Sequence, residues 1–199
     1  MIYLSTNYVF DGTATPYDET GHPNPMSVYG KSKYAGEEAV SKVSTAFALV
    51  RVPLLYGPIE YLQETSVTAI LEGIRKNPAS TLDHWQERFP TLTTDTARVL
   101  EKMSAAYVES SQKESFGGVF HWQANERHTK YTMGTIIAEI AGLDPSSLVA
   151  NETAPPPGQA PRPQFEHMLC PRLEAILGSP DDYRSDFREE LAKCLQPHL

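Results

Sequence analysis

The residues whose types and spacing suggest chemistry lie near the amino terminus. Tyr29-Gly30-Lys31-Ser32-Lys33 sets a phenol and an ammonium four residues apart. On a helix, positions i and i+4 share one face, so both groups point the same way. A lysine cation beside a phenol favours the phenolate and lowers its pKa. That suits the pair to general acid or base work on a substrate hydroxyl or carbonyl. Thr6, or Ser5 beside it, ends a short apolar run and supplies a hydroxyl donor to complete the set. By spacing alone the same five residues more often describe a surface helix with a solvated lysine. The six histidines show neither H-x-x-x-H nor Cys-x-x-Cys patterns, so no metal site is expected. Cys170 and Cys194, with no partner histidine placed by the sequence, are expected to be buried small side chains rather than nucleophiles.

These groups need elements to hold them. Ile2-Tyr3-Leu4 reads as a buried strand ending in Ser5-Thr6-Asn7. Residues 11–26 hold Gly12, Pro16, Gly21, Pro23 and Pro25 and form a long loop. Ser27 is placed to cap a helix over 28–43. The run 46–55 (AFALVRVPLL) is almost unbroken in apolar character, as in a strand covered on both faces, and Tyr56-Gly57-Pro58 stops it. Strand, helix, strand is a βαβ unit, which builds parallel sheets. Helical patterns follow over 62–76, 94–110 and 131–141, the last closed by Gly142. Residues 117–122 (GGVFHW) read as a strand entered through two glycines. Five prolines between 151 and 163 make that stretch a stiff extended connector, or else a peptide ligand for a partner domain. A final amphipathic helix is expected over 183–195. The fold class is α/β.

Composition narrows the function classes. The chain has 199 residues, 40% hydrophobic and 21% charged, which suits a globular protein of one domain or a domain and a half. Lys+Arg 17 against Asp+Glu 25 leaves −8, without a basic stripe, so no nucleic-acid partner is expected. No apolar run approaches a membrane span, and residues 1–5 lack the character of a signal peptide. Two cysteines build no disulfide framework, and a reducing compartment is expected, the cytoplasm first and the nucleus second.

Ser5-Thr6-Asn7-Tyr8-Val9-Phe10-Asp11-Gly12, followed by Tyr29-Gly-Lys-Ser-Lys33, resembles the extended short-chain dehydrogenases/reductases, in the branch of dTDP-4-dehydrorhamnose reductase. Within it, Asp83-His-Trp-Gln-Glu-Arg-Phe-Pro-Thr91, Phe120-His-Trp122, Asn125-Glu126 and Thr129-Lys-Tyr131 resemble the regulatory β subunits of methionine adenosyltransferase. Arg51-Val-Pro53, Leu55-Tyr-Gly57 and Arg162-Pro163 fit as well. The resemblance runs to about Glu174. It implies the C-terminal part of a Rossmann-like fold. Residues 1–58 are expected to be a remnant of the Rossmann-like domain, and residues 59–199 a substrate-binding subdomain interleaved with the remaining sheet.

The resemblance also assigns roles. Tyr29 is implied as proton donor to a carbonyl, Lys33 as the group that lowers its pKa and holds a nicotinamide ribose, and Thr6 as the group that orients the carbonyl oxygen. NADP(H) is the family's cofactor, with Tyr29, Lys33, Pro53 and Leu55 along it. Arg88, Phe89, Pro90, Thr91 and Arg162 are implied to line the substrate pocket, where an arginine fork suits a diphosphate or carboxylate. The alternative for Arg88 is a pair with Glu87 or a neighbour on the surface. The family usually has Asp where this chain has Asn7. None of the twelve glycines gives G-x-x-G-x-x-G or G-x-G-x-x-G, so the chain is expected to begin at the family's fifth strand and to hold dinucleotide poorly. Three functions follow as expectations. The first is a non-catalytic regulatory subunit, with the methionine adenosyltransferase catalytic subunit as partner, although the ending Leu191–Leu199 does not resemble that family's tail. The second is an NADPH-dependent reductase of a nucleotide-linked 4-keto sugar. The third is a fragment without function of its own.

Overall fold

The computed structural model describes residues 1–43, 45 and 47–199. Its centre is a parallel sheet of three strands in the order β1–β2–β6. β1 (Ile2–Thr6) pairs with β2 (Ala48–Val52) in the register Ile2↔Ala48 to Thr6↔Val52, and β2 pairs with β6 (Gly118–His121) from Ala48↔Gly118 to Arg51↔His121. All five residues of β2 are buried, as a central strand covered on both faces requires. The helix α1 (Val28–Val43) covers the face that carries Ser5 and Arg51. On the other face Ala48, Val50, Val52 and Phe120 pack with Val99 and Met103 of α3 (Thr93–Glu109) and Leu173 of α5 (Pro171–Leu177).

A second apolar cluster lies under the remaining elements. Ile70, Leu71 and Ile74 of α2 (Ala69–Lys76) meet Met133 and Ile137 of α4 (Lys130–Ile140), with Phe187, Leu191 and Leu195 of α6 (Phe187–Leu195). Two short parallel pairs frame it: β3 (Leu55–Tyr56) with β5 (Thr91–Leu92), and β4 (Thr81–Asp83) with β7 (Val149–Asn151).

Several expectations change. The strand expected over 46–55 splits at Pro53, which brings no N–H to the ladder; Leu55 and Tyr56 then join a different sheet, and Ala46 lies outside the described residues. The strand read as buried at Ile2–Leu4 is half-exposed, and among the described residues it pairs with β2 alone. The helix expected over 62–76 breaks between a 3₁₀ turn at Leu62–Glu64 and α2. Thr65 Oγ1 accepts from the Thr68 N–H (3.0 Å), and Thr68 Oγ1 donates to the Leu62 carbonyl (2.8 Å), so side chains take the backbone partners that a continuous helix needs. The last helix begins at Phe187 rather than 183. Asp95 accepts the Ser185 N–H (2.9 Å), and the Asp186 carboxylate caps Glu189 N (2.8 Å).

Other punctuation folds as read. The Ser27 hydroxyl accepts from Gly30 N at 3.0 Å. Gly142 adopts φ +67 and closes α4 with a Schellman pair, Gly142 N to Glu139 O (3.1 Å) and Leu143 N to Ala138 O (2.8 Å). Gly117-Gly118 leads into β6, and the proline stretch carries no helix.

Candidate functional site

A cavity of about 410 Å³ opens at the carboxyl ends of β1 and β2, where parallel α/β sheets place their ligands. Thr6 enters it from the end of β1 and Tyr8 from the turn after it, Tyr29 from the first turn of α1, Pro53 from just past β2, and Leu55 from the start of β3. Arg88, Lys130, Arg162 and Glu166 close the far side. Of the residues that the sequence assigned to a site, Thr6, Tyr29, Pro53, Leu55, Arg88 and Arg162 therefore share one cavity. Lys33, Phe89, Pro90 and Thr91 are not in its lining. Phe89 is buried and stacks on His167 at 4.8 Å, and the buried Thr91 hydroxyl donates to the Phe89 carbonyl and accepts from Ala124 N.

Two features of α1 aim Tyr29. A Cβ on Gly30 would stand 2.2 Å from the Tyr8 carbonyl oxygen, so glycine lets the helix start lie directly on the end of β1. Two turns on, Glu37 is buried and takes a bidentate pair from Arg51 of β2, with Nε to Oε1 at 3.0 Å and NH2 to Oε2 at 2.7 Å. The Ser5 hydroxyl donates to the same carboxylate. Ser5 is thus committed to Glu37, and Thr6 is the hydroxyl left at the cavity. His121 stands 3.4 Å from Arg51. Burial first, and the Arg51 charge second, push its pKa down to about 3, so it is neutral beside the ion pair.

The Tyr–Lys spacing puts both residues on α1 but on different duties. Tyr29 is 56% exposed and lies edge-on to Tyr8, ring centroids 6.1 Å apart. Lys33 Nζ donates to the Leu4 carbonyl at 2.8 Å and lies over the Tyr3 ring. The ammonium is engaged with β1, on the backbone.

Arg88 is buried and does not pair with Glu87, which binds Arg127 instead. Its NH2 donates to Asp83 Oδ2 at 2.8 Å and to the Gln86 side-chain oxygen, and its NH1 to the Gln86 carbonyl at 3.0 Å. Asp83 also accepts from Trp85 N and Gln86 N, so the 83–88 turn is wrapped around its own arginine. Burial, with Arg88 and Arg162 nearby, holds the Lys130 ammonium below its usual range. Arg162 Nε is buried and has no hydrogen-bond partner among the described residues. Three cations thus border one small cavity, a set suited to an oxyanion.

Sequence reading missed Tyr8, Gln86, Lys130 and Glu166 as site residues. Glu166 accepts from Asn7 Nδ2 at 2.7 Å and from Gln86 Nε2, and Gln86 Nε2 also reaches the Tyr8 hydroxyl at 3.0 Å. Burial raises the Glu166 pKa to about 7 against the pull of Arg88 and these donors. Burial, then the Glu166 charge, raises Tyr8. Only Asn7 carried a signal: an amide where the family usually has a carboxylate.

The remaining candidates are structural. The His84 ring bonds the Thr129 hydroxyl at 2.8 Å, and the fully buried Trp122 donates to Thr96. Burial raises both cysteine thiols, Cys170 to about 11, which does not suit a nucleophile. Among the described residues no His, Cys, Asp and Glu cluster is placed to hold a metal, and no helix is long and apolar enough to cross a membrane.

The α/β fold and the cavity at its strand ends define a substrate-binding domain of the Rossmann-like reductase class. Residues 1–198 match the RmlD substrate binding domain, and the chain belongs to that family. The methionine adenosyltransferase 2 subunit beta of Xenopus tropicalis is 40% identical over 193 residues, 96% of this chain and 57% of that protein. The chain thus spans little more than half the length of that relative. Among solved structures, a dTDP-4-dehydrorhamnose reductase from Clostridium acetobutylicum superposes with TM-score 0.80 at 28% identity, covering 98% of this chain and 65% of the other. A dTDP-4-dehydrorhamnose reductase from Bacillus anthracis, solved in complex with NADP, gives TM-score 0.76 at 23% identity over 98% of this chain and 64% of the other.

Of the residues that the resemblance sets along NADP(H), Tyr29, Pro53 and Leu55 line the cavity and would border such a group, which supplies hydride when bound. Lys33 spends one of its three N–H donors on the Leu4 carbonyl, which turns the ammonium toward β1.

Proposed function

We propose that this chain is the substrate-binding part of a non-catalytic regulatory subunit of methionine adenosyltransferase, and that it modulates S-adenosylmethionine synthesis by binding the catalytic subunit. The observation that carries this reading is the 40% identity to a subunit beta across 193 residues, 96% of this chain. The engagement of Lys33 with the Leu4 carbonyl supports a pocket that holds rather than turns over its ligand. Calorimetric titration of the monodisperse chain into a catalytic subunit, with and without NADP(H), tests it. Saturable binding with a change in the rate of S-adenosylmethionine synthesis is expected. Absence of heat from a folded sample rejects the reading for this chain.

A second reading, an NADPH-dependent reductase of a nucleotide-linked 4-keto sugar, is favoured by one observation: Thr6, Tyr29 and the arginines Arg88 and Arg162 border the same cavity. Here Tyr29 gives its proton to the carbonyl oxygen and Thr6 orients it. Under that reading Tyr29→Phe abolishes NADPH oxidation, whereas the regulatory reading expects no sugar-dependent oxidation in either protein.

A further inference from the structure

We propose that Glu166 is a specificity-determining residue of the cavity: it takes up one proton from solvent when an oxyanion binds between Arg88, Arg162 and Lys130, so that anion and proton bind together. The inference rests on the cavity alone and not on the assembly argued above.

Glu166 is 4% exposed and has both oxygens committed, Oε2 to Asn7 Nδ2 and Oε1 to Gln86 Nε2. Neither amide is free to turn round. The Asn7 oxygen already accepts from the Thr6 hydroxyl (3.2 Å), and the Gln86 oxygen already accepts from Arg88. A chain of contacts therefore runs from Thr6 through Asn7, Glu166 and Gln86 to Arg88, with the carboxylate at its middle. If the family's usual carboxylate stood at position 7, two anions would meet there. The amide instead lets one carboxylate sit at the base of the cavity.

The charged and titratable groups that border the cavity with Glu166 are Tyr8 just past β1, Arg88 from the 83–88 turn, Lys130 from the start of α4, and Arg162 four residues before it; Asp83 is paired with Arg88. In the open cavity Arg88 and the two amide donors favour the carboxylate, and burial opposes it. A bound oxyanion changes that balance twice. It draws on the same guanidinium, and it adds a like charge beside the carboxylate. Both effects favour the acid. In the open cavity the Tyr8 hydroxyl also favours the carboxylate; on protonation the phenol turns its own O–H away and takes the new one, since a phenol both gives and takes a hydrogen bond. Free carboxylate plus proton becomes carboxylic acid, and no other group changes charge. A ligand without charge gains nothing from this device, so Glu166 discriminates by charge as well as by shape.

The probe is sulfate, which stays fully ionised across the range used. Calorimetric titration of the intact chain in two buffers of different ionisation heat, at pH near 7.5, counts the protons. The expected result is net uptake approaching one per sulfate bound, and affinity that falls by up to tenfold per pH unit above about 7. Glu166→Gln keeps the side-chain shape and one of the two amide contacts, its NH2 facing the other donor, and it removes the titration. It should show no uptake in that range, a flat pH profile, and tighter binding than wild type at high pH. Glu166→Ala gives the same test should the glutamine fold poorly. Arg162→Ala should weaken sulfate at least tenfold. Zero uptake by wild type, identical profiles for wild type and both Glu166 variants, or sulfate bound equally well without Arg162 overturns the proposal; so does failure of the folded wild type to bind sulfate.

Discussion

The two ends of the central sheet are built from opposite materials. At its carboxyl end, three buried charges have matched partners: Glu37 has Arg51 and Ser5, Arg88 has Asp83 and Gln86, and Glu166 has Asn7 and Gln86. At its amino end, Met1, Ile2, Phe47, Met103, Tyr107 and Phe116 border an apolar groove of about 860 Å³. The register sharpens the difference. Ile2 and Leu4 are 37% and 41% exposed, while Ala48 and Val50, their partners on the same face, are 7% and 0%. The larger cavity is thus a gap in apolar packing, and the smaller one holds the candidate chemistry. Precision at the carboxyl end comes from hydrogen bonds with fixed directions. Cohesion at the amino end comes from area removed from water, which has no direction.

Breaking the charged end should cost more than trimming the apolar one. Arg51→Met leaves Glu37 buried and unpaired and is expected to lower stability by about 3–5 kcal/mol. Glu37→Met together with Arg51→Met should recover much of that loss, because no charge is then stranded. Met103→Ala deletes a buried side chain that already borders the groove. A loss of about 2 kcal/mol, the low end for such truncations, is expected. Urea melts of the four proteins give the ranking. A cost for Arg51→Met no greater than that for Met103→Ala would show that the ion pair does not secure α1.

A smaller effect appears in the pH dependence of stability, where two groups at the carboxyl end act in opposite senses. His121 has its folded pKa depressed to about 3 from an ordinary 6.5, so the unfolded chain binds more protons between those values and stability falls as pH falls through them. Glu166 has its folded pKa raised to about 7 from 4.5, so the folded chain binds more protons there and stability falls as pH rises from about 4.5 to about 7. Between about pH 4.5 and 6.5 the two slopes oppose each other. A nearly flat wild-type profile is expected in that window. Glu166→Gln should expose the His121 slope, on the order of 2 kcal/mol across it. Melts of both proteins at three pH values decide the matter, and parallel profiles would remove Glu166 from the balance.

Those residues also mark what was legible in the sequence. Period and punctuation gave β1, α1, α3, α4 and the strand at 118, since each joins a clear apolar pattern to a cap or a breaker. The tyrosine and the threonine of the cavity came from residue type and spacing, and its two arginines from a family pattern read residue by residue. The β4–β7 pair did not come through, because two three-residue strands separated by more than sixty positions leave no local period. The helix α5 was signalled by Pro171 at its first position and Gly178 just past its end, but it lies behind the proline stretch. Glu166 gave no sign at all. A lone glutamate is ordinarily a solvated one, and only tertiary packing against Asn7 and Gln86 makes this one a buried acid.

The smallest effect tests the apolar end at its edge. Leu4 lies on a strand that pairs on one side only among the described residues, and it is 41% exposed. Half-exposed apolar strands at a sheet edge favour pairing between copies, and a lysine on such a strand opposes it. Leu4→Lys removes little buried area, so stability should stay within about 0.5 kcal/mol of wild type. Sedimentation velocity over a range of concentrations should show wild type associating as concentration rises and the variant remaining at the mass of one chain. The same substitution leaves Lys33 its acceptor, because that contact is to the Leu4 backbone carbonyl. The carboxyl end should therefore be untouched, and sulfate affinity should match wild type while self-association falls. If both change together, the two ends of the sheet are coupled and the contrast drawn between them does not hold.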